Sequence, residues 1–305
     1  MEIDEPSTRQ EKQNKEQQSG NTEPGRFSPQ GSIPISSPPV LVTLLGRLLL
    51  ALIAGVCVAF LSLPLIALLL RVPLDSLLLY LADPVVTDAL RLSGISSLCT
   101  LALIILFGTP VAYLLGRVTF RGKGVLETLI ELPLVLPPAV AGVALLFAFG
   151  RRTPLGGLLH TWNLDVAFTL AAVVLAQTFV AAPFYIKSAR AGFQGVPRET
   201  MEAARTDGAN GLQVFGHVVV PLAMPGIAGG AIMSWARAVG EFGATILFAG
   251  NFQGRTQTMP LAIYTALESD INAAIVLSSI LVITSFTVLL VFKLLTGRSV
   301  DVLPE

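Results

Sequence analysis

Six apolar runs, at 47–70, 92–115, 125–149, 166–186, 222–249 and 272–295, alternate with shorter polar stretches along the chain. A helix rises about 1.5 Å per residue and needs about twenty residues to cross a hydrocarbon core of about 30 Å. The pattern therefore predicts an all-α integral membrane protein with six transmembrane helices. The first, second, fourth and sixth runs fit with little adjustment. The third carries Glu127 and Glu131 near its start, then Pro133, Pro137 and Pro138. Proline removes backbone donors, so this run is expected to kink, or to begin with a broken turn packed on protein. The fifth run is too long for one straight crossing and holds Arg237 and Glu241; it must tilt, bend or follow the interface.

Composition agrees with the pattern. Apolar residues make up 53% of the chain and charged residues 13%, with a mean hydropathy of +0.72, against the quarter charged expected of a soluble domain. The formal net charge is zero, which gives no reason to expect a nucleic-acid partner. Residues 1–42 differ: they are rich in Glu, Gln, Lys, Ser and Pro and are expected to form a disordered cytoplasmic tail ahead of a transmembrane domain over 43–300. Cys57 and Cys99 both fall in apolar runs, where a small buried hydrophobe is the expected role. If the N-terminus is cytoplasmic, ten flanking Lys and Arg side chains lie inside, among them Arg117, Arg190, Arg198 and Arg205, against five outside, including Arg151, Arg152 and Arg255. That bias predicts a multi-pass protein of the plasma (inner) membrane with both termini inside.

Between the fourth and fifth runs lies a polar, glycine-punctuated loop, 187–221. Pro197 suits a first helical turn, Glu199 and Glu202 suit its positive end, and Gly208 suits its C-cap. The expectation is a short helix outside the bilayer, shaped to press against another protein. No catalytic apparatus accompanies it. The segment Gly116-Arg-Val-Thr-Phe-Arg-Gly122-Lys123-Gly124 has five residues between its glycines and no Ser or Thr after the lysine, so it fails as a phosphate-binding loop. There is no His-Glu-x-x-His and no nucleophile elbow, and the two histidines, His160 and His217, lie outside the apolar runs. The chain reads as a non-enzyme; any ATP that drives it is hydrolysed on a separate subunit.

The loop resembles the EAA signature of ABC-importer membrane subunits. Glu202, Ala203 and Ala204 are followed by three residues, Gly208, nine residues, then Val218, Val220 and Pro221. Leu132-Pro-Leu-Val-Leu-Pro-Pro138, Phe149-Gly-Arg-Arg-Thr-Pro-Leu-Gly156, Arg237-Ala-Val-Gly-Glu-Phe-Gly-Ala-Thr245 and the stretch from Ala249 to Ala262 resemble the molybdate/sulfate importer family, closest to its molybdate permeases. The resemblance covers 44–296. It implies a type I ABC importer permease-like fold and import of an oxyanion, most often molybdate, with tungstate, sulfate or thiosulfate as alternatives. A secondary anion transporter is the competing class. It further implies a homodimer, two cytoplasmic ABC ATPase subunits that use the ATP, an extracytoplasmic oxyanion-binding protein, and no cofactor bound by this chain.

Residue by residue, the resemblance points to Glu202, Ala203, Ala204, Asp207 and Gly208 as the ATPase-docking surface, although Glu202 could also simply cap its helix. Charge deep in an apolar run is costly and faces a partner or a water-lined path, so Arg237 and Glu241, with Thr245, are the candidates for the translocation path; the resemblance supports their importance without deciding the role. Arg237 and Glu241 are four apart and so can share a helix face and pair. Whether that pair serves the anion or locks packing is open at this stage. Gly226, Gly229, Gly230, Gly240 and Gly243 fit close helix packing, with a hinge as the alternative. Arg151 and Arg152 either meet an anion or an acidic partner, or sit on a solvated turn.

Overall fold

The structure, a computed structural model, describes residues 40–297. Most of the tail expected over 1–42, and the last residues of the domain expected to reach 300, lie outside the described residues. By internal contacts the chain divides between Ala59 and Phe60, inside its first helix, α1 (Val40–Leu69). The larger unit is the part from Phe60 onward.

Among the described residues every regular element is helical. A single 3-10 turn and α2 (Leu77–Leu81) lead to α3 (Pro84–Arg117). The second run was expected over 92–115; α3 starts earlier because the Asp83 carboxylate accepts a hydrogen bond from Val85 N at 2.7 Å and Pro84 occupies the first turn, where no donor is lost. Next come α4 (Lys123–Val135), α5 (Pro138–Phe149) and the short α6 (Pro154–Thr161). The long α7 (Leu170–Gly195) follows, then α8 (Arg198–Thr206) and α9 (Gly211–Val214). A π turn, Phe215–Val219, feeds α10 (Val220–Val239). The described residues end with α11 (Gly243–Phe248), α12 (Met259–Ser269) and α13 (Ile271–Gly297).

Five helices are long and apolar enough to cross a bilayer, and the bent pair α4–α5 makes six. The third run is thus broken as expected, by 117° at Leu136–Pro137. Glu127 and Glu131 on α4 pair with Arg190 (3.0 Å) and Lys187 (3.2 Å) towards the C-terminal end of α7. Ala141 and Leu145 on α5 pack with Ala172, Val173 and Ala176 at the start of α7. The two halves of the bent pair thus brace α7 at different levels, α4 towards its C-terminal end and α5 at its start. These two ion pairs were not foreseen, although the i, i+4 acids and the i, i+3 bases were visible in the sequence.

Helix α7 is the central element, packed on α3, α10, α5 and α11. Its contact with α10 is as close as backbones allow. A Cβ on Gly226 would stand 2.7 Å from the Cα of Gly192 and 2.8 Å from the Ser188 carbonyl oxygen; one on Gly230 would stand 2.9 Å from the Tyr185 oxygen. Ser188 Oγ donates to the Gly226 carbonyl at 2.8 Å. The packing role expected of these glycines holds for Gly226 and Gly230. Gly229 has more room, with Ser188 Oγ at 3.7 Å. We expect Gly226→Ala to lower the thermal midpoint of the detergent-solubilised protein, at a cost of about 1–3 kcal/mol, because backbone neighbours cannot give way. Gly229→Ala should leave it unchanged or raise it. Equal shifts in the two variants would refute close packing as the reason.

One expectation is corrected. Cys57 and Cys99 are both exposed. In a bilayer an apolar run need not face the protein interior, because lipid or a second subunit covers its outer side as well as a core would.

Candidate functional site

The polar loop is shorter than the spacing suggested, since α7 continues to Gly195. Pro197 is the N-cap of α8 rather than its first residue, and Glu199 lies in the first turn. The helix ends in a Schellman arrangement. Gly208 N donates to the Arg205 carbonyl and Ala209 N to the Ala204 carbonyl, both at 3.0 Å. That closure requires a left-handed residue, and Gly208 supplies it with φ of 92°. Asn210 and Gln213 then form a reciprocal capping box that starts α9. Met201, Ala204 and Ala209 pack against the core cluster built on Tyr185, Phe193 and Val219. Glu202, Ala203, Asp207 and Gly208 are exposed. The loop is a rigid ledge with an apolar inner side and a free outer side.

What anchors this ledge was missed in the sequence. The Arg117 guanidinium, at the end of α3, donates through Nη2 to the Val196 carbonyl, on the approach to α8. No local motif announced it, because its partner is 79 residues away.

At the far end of α10 the predicted fifth run breaks. Arg237 sits in the last turn of α10 and the helix stops at Val239; α11 begins at Gly243. Glu241 is 1% exposed, and its Oε2 lies 2.6 Å from Arg237 Nη1, whose side chain is 29% exposed. That contact is a charge pair without hydrogen-bond alignment, since Oε2 has no hydrogen-bond partner. Oε1 accepts from Ala244 N at 2.8 Å. Each charge thus sits at the helix end it complements: a cation at the C-terminus of α10, an anion at the N-terminus of α11. Glu241 stitches the two helices across the break.

The same break rests on the other one. A Cβ on Gly243 would lie 2.7 Å from Pro138 Cβ, and one on Gly142 would lie 2.8 Å from the Ala244 carbonyl oxygen. Non-helical backbone at membrane depth is tolerated only where protein encloses it or where it lines a cavity. Here two interrupted helices enclose each other. Thr245 is fully buried, with its hydroxyl lacking a protein partner. The structure brings Arg237, Glu241 and Thr245 to one place, and Glu202 to Gly208 to another, at opposite ends of α10 and its lead-in.

On the side of the chain away from α8, Arg151 lies 3.8 Å from Asp165, and His160 Nδ1 lies 3.0 Å from the same carboxylate oxygen. Arg151, Asp165 and Arg255 border a cavity of about 420 Å³ whose walls include Phe149, Phe168 and Phe252.

Crossing helices, paired helix breaks and a ledge between two crossings define a multi-pass membrane component of transporter type. Over residues 104–301 the sequence matches the family described as binding-protein-dependent transport system inner membrane component, and the chain belongs to it. It is 40% identical over 238 residues to the molybdenum transport system permease protein ModB of Mycobacterium tuberculosis, covering 78% of this chain and 89% of that one. It is 33% identical over 253 residues to the molybdate/tungstate transport system permease protein WtpB of Pyrococcus abyssi, covering 82% and 96%. Its fold is similar to a bacterial ABC transporter involved in the import of the acidic polysaccharide alginate. That match has a TM-score of 0.61 at 17% identity and covers 87% of this chain and 99% of that one. It bears out the all-helical ABC importer permease architecture.

Proposed function

We propose that this chain is the permease subunit of an ATP-driven importer that carries a tetrahedral oxyanion, molybdate first among them, into the cytoplasm. The observation that carries the mechanism is the ledge: a short helix with a free outer face, closed by Gly208 and packed through Met201, Ala204 and Ala209 against a core cluster to which α7 and α10 both contribute. A conformational change in a protein seated there reaches both helices without a flexible joint. The anion's identity rests on the relatives named for molybdenum and for molybdate/tungstate.

The remaining parts of the assembly follow from this reading. The ledge faces the cytoplasm, in agreement with the ten-to-five excess of basic side chains on that side, and both termini lie there too. Cytoplasmic ATPase subunits dock on Glu202, Ala203, Ala204, Asp207 and Gly208 and use the ATP, and this chain binds no cofactor. A second copy of the chain completes the path past Arg237, Glu241 and Thr245. An extracytoplasmic binding protein delivers the anion at the opposite face, where Arg151 and Arg255 lie.

The test is uptake by proteoliposomes containing the chain with its ATPase and binding protein. We expect labelled molybdate to accumulate only with ATP hydrolysis, tungstate to compete strongly, and sulfate to compete weakly. Accumulation without the ATPase would refute the reading and favour a secondary transporter.

A further inference from the structure

Three arginines line one pocket beside α8. The pocket measures about 250 Å³ and lies between the end of α3 and α8; Tyr113, Arg117, Arg198, Glu202 and Arg205 line it. Positions 198, 201, 202 and 205 form one stripe of the helix (i, i+3, i+4, i+7), and that stripe borders the pocket. Lys123 adds a fourth cation nearby, with its Nζ 3.3 Å from the carbonyl of Val118, another wall residue. Glu202 is the one acid in the lining, and among the described residues none of Arg117, Arg198 and Arg205 comes within 4.0 Å of any carboxylate. Arg117 Nε is shielded from solvent and has no partner. Arg190, near the C-terminal end of α7, shows the contrast: it is paired with Glu127.

Clustered cations with a single acid among them repel one another. Planar guanidinium forks match the oxygens of a tetrahedral anion, whose several acceptors satisfy several forks together. We infer that this pocket is a binding site for a tetrahedral oxyanion on the ledge side of the protein, separate from the path at Arg237. The anion is a phosphate group, from a lipid headgroup at the membrane surface or free in solution. The pocket opens between α3 and α8; of the docking residues Glu202 alone lines it, and Ala203, Ala204, Asp207 and Gly208 are outside its lining. Glu202 stands at the border of pocket and docking face. Occupancy therefore alters the electrostatics of the docking carboxylate directly. The inference does not depend on which anion the protein transports.

The experiment uses the full chain in detergent and in nanodiscs. In detergent, titration with inorganic phosphate, followed calorimetrically, should show saturable binding that weakens about tenfold or more in Arg205→Gln and in Arg117→Gln. Arg121→Gln, a basic residue outside the pocket, should bind as the parent does. Arg205 is exposed on α8, so its variant keeps the test valid if loss of the Arg117–Val196 contact impairs folding. In nanodiscs, native mass spectrometry compares phosphatidylcholine alone with its mixture with phosphatidylglycerol. Enrichment of phosphatidylglycerol that both variants abolish assigns the site to a headgroup; phosphate binding without enrichment assigns it to the free anion. Neither binding nor enrichment, or either one unchanged in Arg205→Gln, overturns the inference. Phosphate binding lost in Arg237→Gln but retained in Arg205→Gln would overturn it too, by placing the anion in the path, while leaving the importer reading intact.

Discussion

A Gly208→Val chain is expected to reach the membrane at normal level and to lose at least about nine-tenths of ATP-driven uptake. Gly208 has φ of 92°, and a Cβ built there meets nothing within 4 Å. The penalty is therefore one of backbone conformation alone. A β-branched residue in the left-handed region costs about 1–3 kcal/mol, and the chain can relieve it by opening the Schellman bonds from Gly208 and Ala209. Opening them swings the end of α8 and Ala209 off the core cluster while α7 and α10 stay packed. The protein inserts; the ledge no longer presents a fixed face. Gly208→Asn separates this account from a purely steric one, because Asn tolerates the left-handed region far better than Val. Asn should retain most of the uptake and most of the co-purifying ATPase. Normal uptake in the Val variant, or equal loss in Val and Asn, would sink the account.

Much of this architecture was legible because its signals are local. Run length fixed the crossings, proline placed the break before Pro138, and the spacing from Glu202 to Pro221 placed the ledge and its closing glycine. What stayed hidden depends on distant partners. The clamp from Arg117 to Val196, the ladder of Glu127 and Glu131 with Arg190 and Lys187, and the seat of Gly243 on Pro138 all join residues far apart in the chain. The fifth run shows the intermediate case. Its excess length and its two charges announced a bend, but the position of the bend is set by Glu241, which caps α11 as well as pairing with Arg237. Periodicity carries no trace of that second bond. The cysteines failed for a different reason, since hydropathy does not distinguish a lipid-facing side from a packed one.

Removing Arg237 is expected to damage the protein more than removing the charge of its partner, and the difference decides what the pair is for. In Arg237→Gln the Glu241 carboxylate, 1% exposed, is left without its counter-charge, a loss of about 3–5 kcal/mol for a buried pair. In Glu241→Gln the amide oxygen can still accept from Ala244 N, and the stranded Arg237, 29% exposed, is far less enclosed than Glu241. The thermal midpoint should therefore fall further in Arg237→Gln than in Glu241→Gln. The double variant removes both charges and keeps the cap, so its midpoint and its assembly with the ATPase should return close to those of the parent. Uptake then gives the answer. If Arg237 offsets the charge of a passing dianion, the double variant assembles normally and transports at least about tenfold more slowly. Glu241→Ala is the control for the cap: it should destabilise the protein more than Glu241→Gln by losing the bond to Ala244. Full uptake in the double variant would leave Arg237 and Glu241 as a device that joins α10 to α11 across their break, with no part in the path of the anion.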